Sequence, residues 1–333
     1  MLTNTRRTSN GLAWLNDGLD GRALRAEAWS DRPLSGVLSF FAPDFALANP
    51  RPWLVGKEIP FAVPENQPLP QLKYRKQPSD LAFYQLHQDI INRIQHDGFK
   101  KVVPLIREEL EFTSPLAHQM FSSAFQPGQS EFAYGFEFSN EGLCGVTPEL
   151  LFQVKEGVLT TMALAGTGAV NGPSLLEIPK ERHEHQLVID HIYSELKDLG
   201  TIDVHATIEL SYRRLKHLYT PIEVRLNREV EFTDLVARLH PTPALGGWPR
   251  KNALQWLEQQ DFHALRRRFG APFGFQAKNE MRCVVAIRGL QWTGNKALMC
   301  AGCGVVEKSL AANEWNELQL KLAAIRGGLG LEL

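Results

Sequence analysis

An α+β fold with extensive antiparallel sheet is what the sequence predicts, and three observations carry that prediction. Phe132, Tyr134, Phe136 and Phe138 alternate with small or polar residues and run into the turn at 139–142, the pattern of a half-buried strand entering a hairpin. A second hairpin turns through Lys155-Glu156-Gly157, and the same grammar returns near the C-terminus, where apolar runs around Val284 to Arg288 and Ala297 to Val306 flank a Thr-Gly-Asn-Lys turn. Between these regions the apolar period lengthens to that of helices. No internal repeat and no Gly-rich phosphate loop behind a strand is visible, which argues against a βαβ fold.

Taken in order, residues 1–60 carry short apolar pieces, Val37 to Phe41 and Trp53 to Val55, punctuated by Pro and Gly, and read as an irregular N-terminal layer. The prolines between Pro60 and Pro78 suggest an extended connector, and Ser79 is placed to cap a helix. In that helix Phe83, Leu86, Ile90, Ile91 and Ile94 share a face, and Asp97-Gly98 supplies the stop. The stretch Phe99 to Leu105 follows as a strand, in which Lys101 shares a face with Phe99, Val103 and Leu105. An ammonium there either snorkels to water at the strand end or is desolvated and available as a general base. Glu184 leads the stripe Val188, Ile192, Leu196 on a second long helix. A third runs through Glu314 to Lys321 with Leu318, Leu322 and Ile325 inward. Residues 1–75 read as the N-terminal part of the sheet plus connector, integral to the same domain as a catalytic region at 76–333.

At 333 residues and 44% hydrophobic content the chain can bury a substantial core. A formal net charge of −1 gives no electrostatic reason to expect nucleic acid or an anionic membrane as the main partner, and Arg266, Arg267 and Arg268 read as a solvated helix end. The first residues hold no apolar run of leader length and no segment reaches ~18 uninterrupted apolar residues, so the expected location is cytoplasmic. Four scattered cysteines make no disulfide framework, and Cys300 with Cys303 ends an apolar strand without a second pair, unlike a zinc or redox site.

Several polar residues stand in apolar frames. Arg182-His183-Glu184-His185 fails the HExxH pattern because Leu187 stands where the second histidine belongs. A buried Glu184 therefore needs a helix N-terminus, a cation or a metal beside it. Glu317 and Lys321, four apart, form either a surface ion pair or a group in which Glu317 meets Glu184 across Mg²⁺, a hard ion suited to carboxylates. The loop from His240 to Arg250 is rich in Pro and Gly, as a tight structural turn or a place for close ligand approach requires. Arg288 suits a planar carboxylate, and Gly302 and Gly304 can leave backbone N–H groups for another anion.

Read in order, KVV at 101–103, TPE at 147–149, LAGT at 164–167, KERHEH at 180–185, HPTPALGG at 240–247, VAIR at 285–288, AGxG at 301–304 and EWxExxxK at 314–321 resemble the chorismate-utilising enzymes, most of all the isochorismate-forming members. The resemblance implies large antiparallel sheets packed as a sandwich and flanked by helices. It implies Lys101 as the base that activates water, Glu149 as the general acid, and Glu184 and Glu317 as holders of Mg²⁺. Gly166, Thr167, Arg288, Gly304 and Lys321 would line the substrate's carboxylates; His240, Ala244 and Leu245 come from the motif that borders the ring.

The implied activity is isomerisation of chorismate to isochorismate, by water attack at C2 with loss of the C4 hydroxyl. The implied enzyme needs no glutaminase subunit and feeds a quinone or siderophore pathway; its oligomeric state stays open, with a monomer favoured. Salicylate synthase, which goes on to eliminate pyruvate, and a non-catalytic chorismate-fold binder are the alternatives. Ammonia users carry glutamine at position 101, often lysine at 165, and PAGS or PAGT in place of HPTPAL; this chain has none of these. Salicylate synthases usually carry tyrosine where Phe269 stands, which leans towards release of isochorismate. Pro104-Leu105-Ile106, where Leu-Ala-Arg is usual, and Cys303, where alanine is usual, depart from the pattern. For a dianionic substrate the chemistry asks for a neutral Lys101 and a protonated Glu149, states that burial favours for both.

Overall fold

A computed structural model describes residues 11–212 and 215–331. The first ten residues, which opened the segment read above as lacking a leader, lie outside the described residues. Pairing joins seventeen strands into one antiparallel path. It starts at Gly200–Val204 and Ile208–Tyr212, which share the edge of Leu215–Leu226, and continues through Val158–Ala169, Leu150–Lys155, Glu280–Val285 and Pro272–Gln276. From there it passes to Ser39–Phe41, Trp53–Ile59, Gly21–Ser30 and Gly11–Asn16. The second half runs through Phe132–Phe138, Glu141–Thr147, Gly289–Thr293, Lys296–Gly302 and Leu105–Phe112 to Leu72–Lys76.

The hairpins follow from their turns. Ser139 and Asn140 at φ 52° and 71°, and Glu156 and Gly157 at 53° and 77°, give two-residue loops whose left-handed backbone matches strand twist. Leu15, Leu24, Phe40, Phe136, Phe273 and Val284, drawn from both halves of the path, pack into one buried cluster. Phe136 and Phe273 come from strands that are not neighbours yet stack with centroids 6.4 Å apart, so two sheet faces meet as a sandwich.

Six helices flank the sheets: α1 (Asp80–His96), α2 (Pro179–Leu196), α3 (Phe232–Leu239), α4 (Arg250–Leu257), α5 (Asp261–Ala264) and α6 (Ala311–Gly328). Ser79 Oγ accepts from the Ala82 amide at 3.3 Å, and Gly98 at φ 76° follows the last turn of α1, as the capping pattern requires. On α2, Val188, Ile192 and Leu196 are buried against Leu159, Ala163 and Ala165. On α6, Leu318, Leu322 and Ile325 pack with Met299 and Ala301. Each such buried aliphatic side chain stabilises its helix's seat by about 1.5–3 kcal/mol, which fixes α2 and α6 against the sheets. No described helix is long and apolar enough to cross a membrane.

Four local readings are corrected. Residues 11–60 are not an irregular layer: Gly11–Asn16 and Gly21–Ser30 are strands, the second with a register shift between Ala26 and Ala28, and Gly11–Asn16 is paired on both sides. The connector contains the strand Leu72–Lys76. The strand expected over Phe99 to Leu105 is interrupted at Pro104, which has no N–H to donate; Lys101–Val102 pairs instead with Gly247–Trp248. Arg266 is no solvated helix end: it is 2% exposed, its guanidinium carbon lies 3.3 Å from the Phe45 ring centroid, and its Nε donates to the Phe269 carbonyl at 3.1 Å. Arg268 pairs with Glu141 at 3.1 Å, which leaves only Arg267 exposed.

Candidate active site

Residues of both α2 and α6 line one cavity. Its polar wall includes Glu149, Thr167, Glu184, His217, Arg288 and Lys321; Ala244, Leu245, Phe269 and Ile287 are among its apolar lining. Gly166, Gly304 and Glu317 also face it. Among the residues singled out in the sequence, Lys101 and His240 are not part of this wall.

Lys101 is fully buried, so the snorkelling alternative fails. Its Nζ lies 2.9 Å from Glu184 Oε1, one layer behind the lining. Gly304 explains how the two groups fit: a Cβ there would stand 2.1 Å from Glu184 Oε1 and 2.6 Å from Lys101 Cε. His240 lies outside this lining. Its Nε2 donates to the Phe45 carbonyl at 2.7 Å, burial pushes its pKa down to about 3, and the imidazole braces the loop from outside the cavity.

Glu149 sits between the strands Glu141–Thr147 and Leu150–Lys155, where Thr147 Oγ accepts from its amide at 3.2 Å. Burial raises its carboxyl to about 7 against the opposing charges of Lys101, Lys321 and Arg288, so about half of the acid holds its proton at neutral pH. Glu184 goes the other way: burial opposes its charge, but Lys101 and Lys180 hold it down to about 2. Lys321 pairs with Glu317 at 2.6 Å and donates to the Gly302 carbonyl at 2.7 Å, so the i, i+4 pair is anchored in the wall and not on the surface.

His217 is a site residue that the sequence did not reveal, because it lies on the strand Leu215–Leu226 away from every motif. Its Nδ1 is 3.0 Å from the Gly166 carbonyl and 3.1 Å from Thr167 Oγ, and its Nε2 meets Arg288. A guanidinium only donates, so the ring must accept at Nε2 and carry its proton at Nδ1. Burial first, then Arg288, hold its pKa well below the usual histidine value, consistent with that neutral form. Arg288 itself adopts φ 54°, a left-handed backbone rare outside glycine. Tyr134 donates from its hydroxyl to the preceding carbonyl, that of Ile287, at 3.0 Å.

Four carboxylates from two helices crowd the floor: Glu181 and Glu184 on α2, Glu314 and Glu317 on α6, each pair three residues apart and so on one helical face. Glu181 and Glu314 escaped the sequence reading, although the repeated E-x-x-E spacing was there to be seen. Lys180 Nζ lies 3.1 Å from Glu181 Oε1, 3.3 Å from Glu184 Oε2 and 3.1 Å from Glu314 Oε1, a tethered cation where oxygen donors converge. Burial and the neighbouring Glu317 raise Glu314 to about 7. With the ammonium between them, no three of the described His, Cys, Asp and Glu side chains group as ligands of one ion. As a donor set, hard oxygens around a positive centre fit a divalent cation such as Mg²⁺.

A family described as chorismate binding enzyme matches residues 57–330. The salicylate biosynthesis isochorismate synthase of Pseudomonas aeruginosa is 36% identical over 204 residues, covering 57% of this chain and 42% of that protein. The isochorismate synthase MenF of Bacillus subtilis is 28% identical over 256 residues, covering 72% of this chain and 54% of that protein. The chain thus spans about half the length of these curated relatives. In fold it matches the solved structure of MenF, the menaquinone-specific isochorismate synthase from Escherichia coli, with a TM-score of 0.82 at 20% identity, over 97% of this chain and 90% of that one. With the family match extending over most of the chain, the protein belongs to the chorismate-binding enzymes.

Proposed function

We propose that this protein is a Mg²⁺-dependent isochorismate synthase, an isomerase that acts on free chorismate. The observation that carries the reading is Glu149, a buried carboxyl raised to about 7 in a cavity whose other charged walls include Arg288 and Lys321. A proton donor among cations suits a dianionic substrate that must lose a hydroxyl. The named relatives are isochorismate synthases, which agrees with it.

Arg288, Lys321 and the Gly302–Gly304 backbone bind carboxylate, with His217 fixing the guanidinium's orientation. Ala244, Leu245 and Phe269 hold the ring and exclude water. Glu184 and Glu317 would hold the metal, with Glu181 and Glu314 beside them, and a bound Mg²⁺ would supply positive charge for the remaining carboxylate. Lys101 takes a proton from the water that attacks C2, and Glu149 gives its proton to the C4 hydroxyl, which leaves as water. One water enters and one departs, so the ring is isomerised without net hydrolysis. Lys101 can take that proton only as the free amine, so the proton that supports its 2.9 Å pair with Glu184 must first leave to solvent.

The reaction is tested by incubating the protein with chorismate and Mg²⁺ and following products. Isochorismate should accumulate, and Lys101→Ala should abolish it with an unchanged circular dichroism spectrum; undiminished turnover in that variant would remove Lys101 as base. Salicylate with pyruvate would instead support the salicylate synthase reading, against which Phe269 in the wall, with no hydroxyl, stands. Intact chorismate at high protein concentration would favour a binding protein. A cytoplasmic monomer without a glutaminase subunit, supplying a quinone or siderophore pathway, completes the proposal.

A further inference from the structure

Lys180 has no part in the chemistry above, yet its ammonium occupies the middle of the acid cluster. Among the described residues it pairs with carboxylates alone, at 3.1 Å from Glu181, 3.3 Å from Glu184 and 3.1 Å from Glu314. Its side chain is 16% exposed, so water screens these pairs little. Two E-x-x-E pairs on facing helices would otherwise repel across a poorly solvated gap, and this cation offsets that repulsion. The other two amines are committed elsewhere: Lys101 is fully buried behind Glu184, and Lys321 is fastened to Glu317 and the Gly302 carbonyl.

An ammonium and a divalent ion cannot share these oxygens. Nitrogen holds carboxylate oxygens here at 3.1–3.3 Å, whereas Mg²⁺ draws its oxygens to about 2.0–2.1 Å with a nearly octahedral shell. Beside the cluster a groove walled by Lys180, Glu181, Lys308, Asn313 and Leu320 adjoins the main cavity, sharing Thr167 and Glu317 with it. The stem of Lys180 therefore has an open space to withdraw into.

We propose that Lys180 is the resident counter-cation of the four-carboxylate cluster, and that it sets the affinity for the divalent ion by competing for the same oxygens. This rests on the Mg²⁺ requirement put forward above, but its tests read binding and not turnover. In Lys180→Met, isothermal titration should give a Kd for Mg²⁺ lower by about tenfold, because no tethered cation has to be displaced. Without metal the variant should melt at a lower temperature than the unaltered protein, and saturating Mg²⁺ should restore it. An equal or weaker Kd, or no Mg²⁺ binding by either protein, would overturn the proposal.

A second measurement uses the unaltered chain, in case the variant folds poorly. Reductive methylation with formaldehyde and cyanoborohydride, read by peptide mass spectrometry, should label Lys180 faster at saturating Mg²⁺ than without it. Equal or slower labelling would count against displacement. Failure to convert chorismate would remove the isochorismate synthase reading and leave both binding readouts standing.

Discussion

Glu149 keeps its proton because its carboxyl is buried, and the cations around it only partly reverse that. The sign of the pH dependence on this group follows: its protonated form is the active one, so the Glu149 limb of the kcat profile for isochorismate formation should fall as pH rises through about 7. Glu149→Gln should lower kcat by ~10²–10⁴ and remove that limb from the profile. Gly304→Ala tests the packing of the pair behind the wall. Its Cβ would fall 2.1 Å from Glu184 Oε1, so the carboxylate and Lys101 must shift while the backbone stays. A melting temperature near that of the unaltered protein with turnover reduced by more than about tenfold is the expected outcome. At this scale motif residues such as Glu149, Glu184 and Arg288 could be picked out beforehand. His217 could not, since a single histidine in a strand has no spacing that betrays a partner fifty residues earlier. His240 sits inside a motif, and its ring bonds to the Phe45 carbonyl, a partner no local spacing announces.

Helices were the easiest elements to read and the N-terminal strands the hardest. The α2 stripe and the α1 cap are local patterns, fixed by residues within a few positions of one another. Gly11–Asn16 is held by neighbours as distant as Phe132–Phe138, and its short length and flanking turns hide it from any local rule. Pro104 was visible, yet its effect needed the fold: the residues before it pair with Gly247–Trp248 and those after it join the main sheet. The α1 cap offers a clean energetic test. Ser79→Ala removes the acceptor for the Ala82 amide and should cost about 1 kcal/mol in urea denaturation, with turnover unchanged.

Across the whole molecule the strand path makes the N-terminus indispensable to a site built from residues after position 100. Gly11–Asn16 lies between Gly21–Ser30 and Phe132–Phe138 and carries the fully buried Trp14. A chain beginning at Gly21 would expose a sheet edge and empty the Trp14 pocket, so it should aggregate or melt at a markedly lower temperature in a thermal scan. Antiparallel sheet was predictable from the hairpins and the sandwich from the family resemblance; the strand order was not, because strands separated by more than a hundred positions choose one another by shape and burial. One cross-molecule tie has a further outcome. The Tyr134 hydroxyl that grips the Ile287 carbonyl nestles where side chains are missing, since a Cβ at Gly145 or Gly289 would come within 2.9 Å or 2.7 Å of its oxygen. A single methyl group added at either place would push against that hydroxyl and unlatch the left-handed turn that carries Arg288.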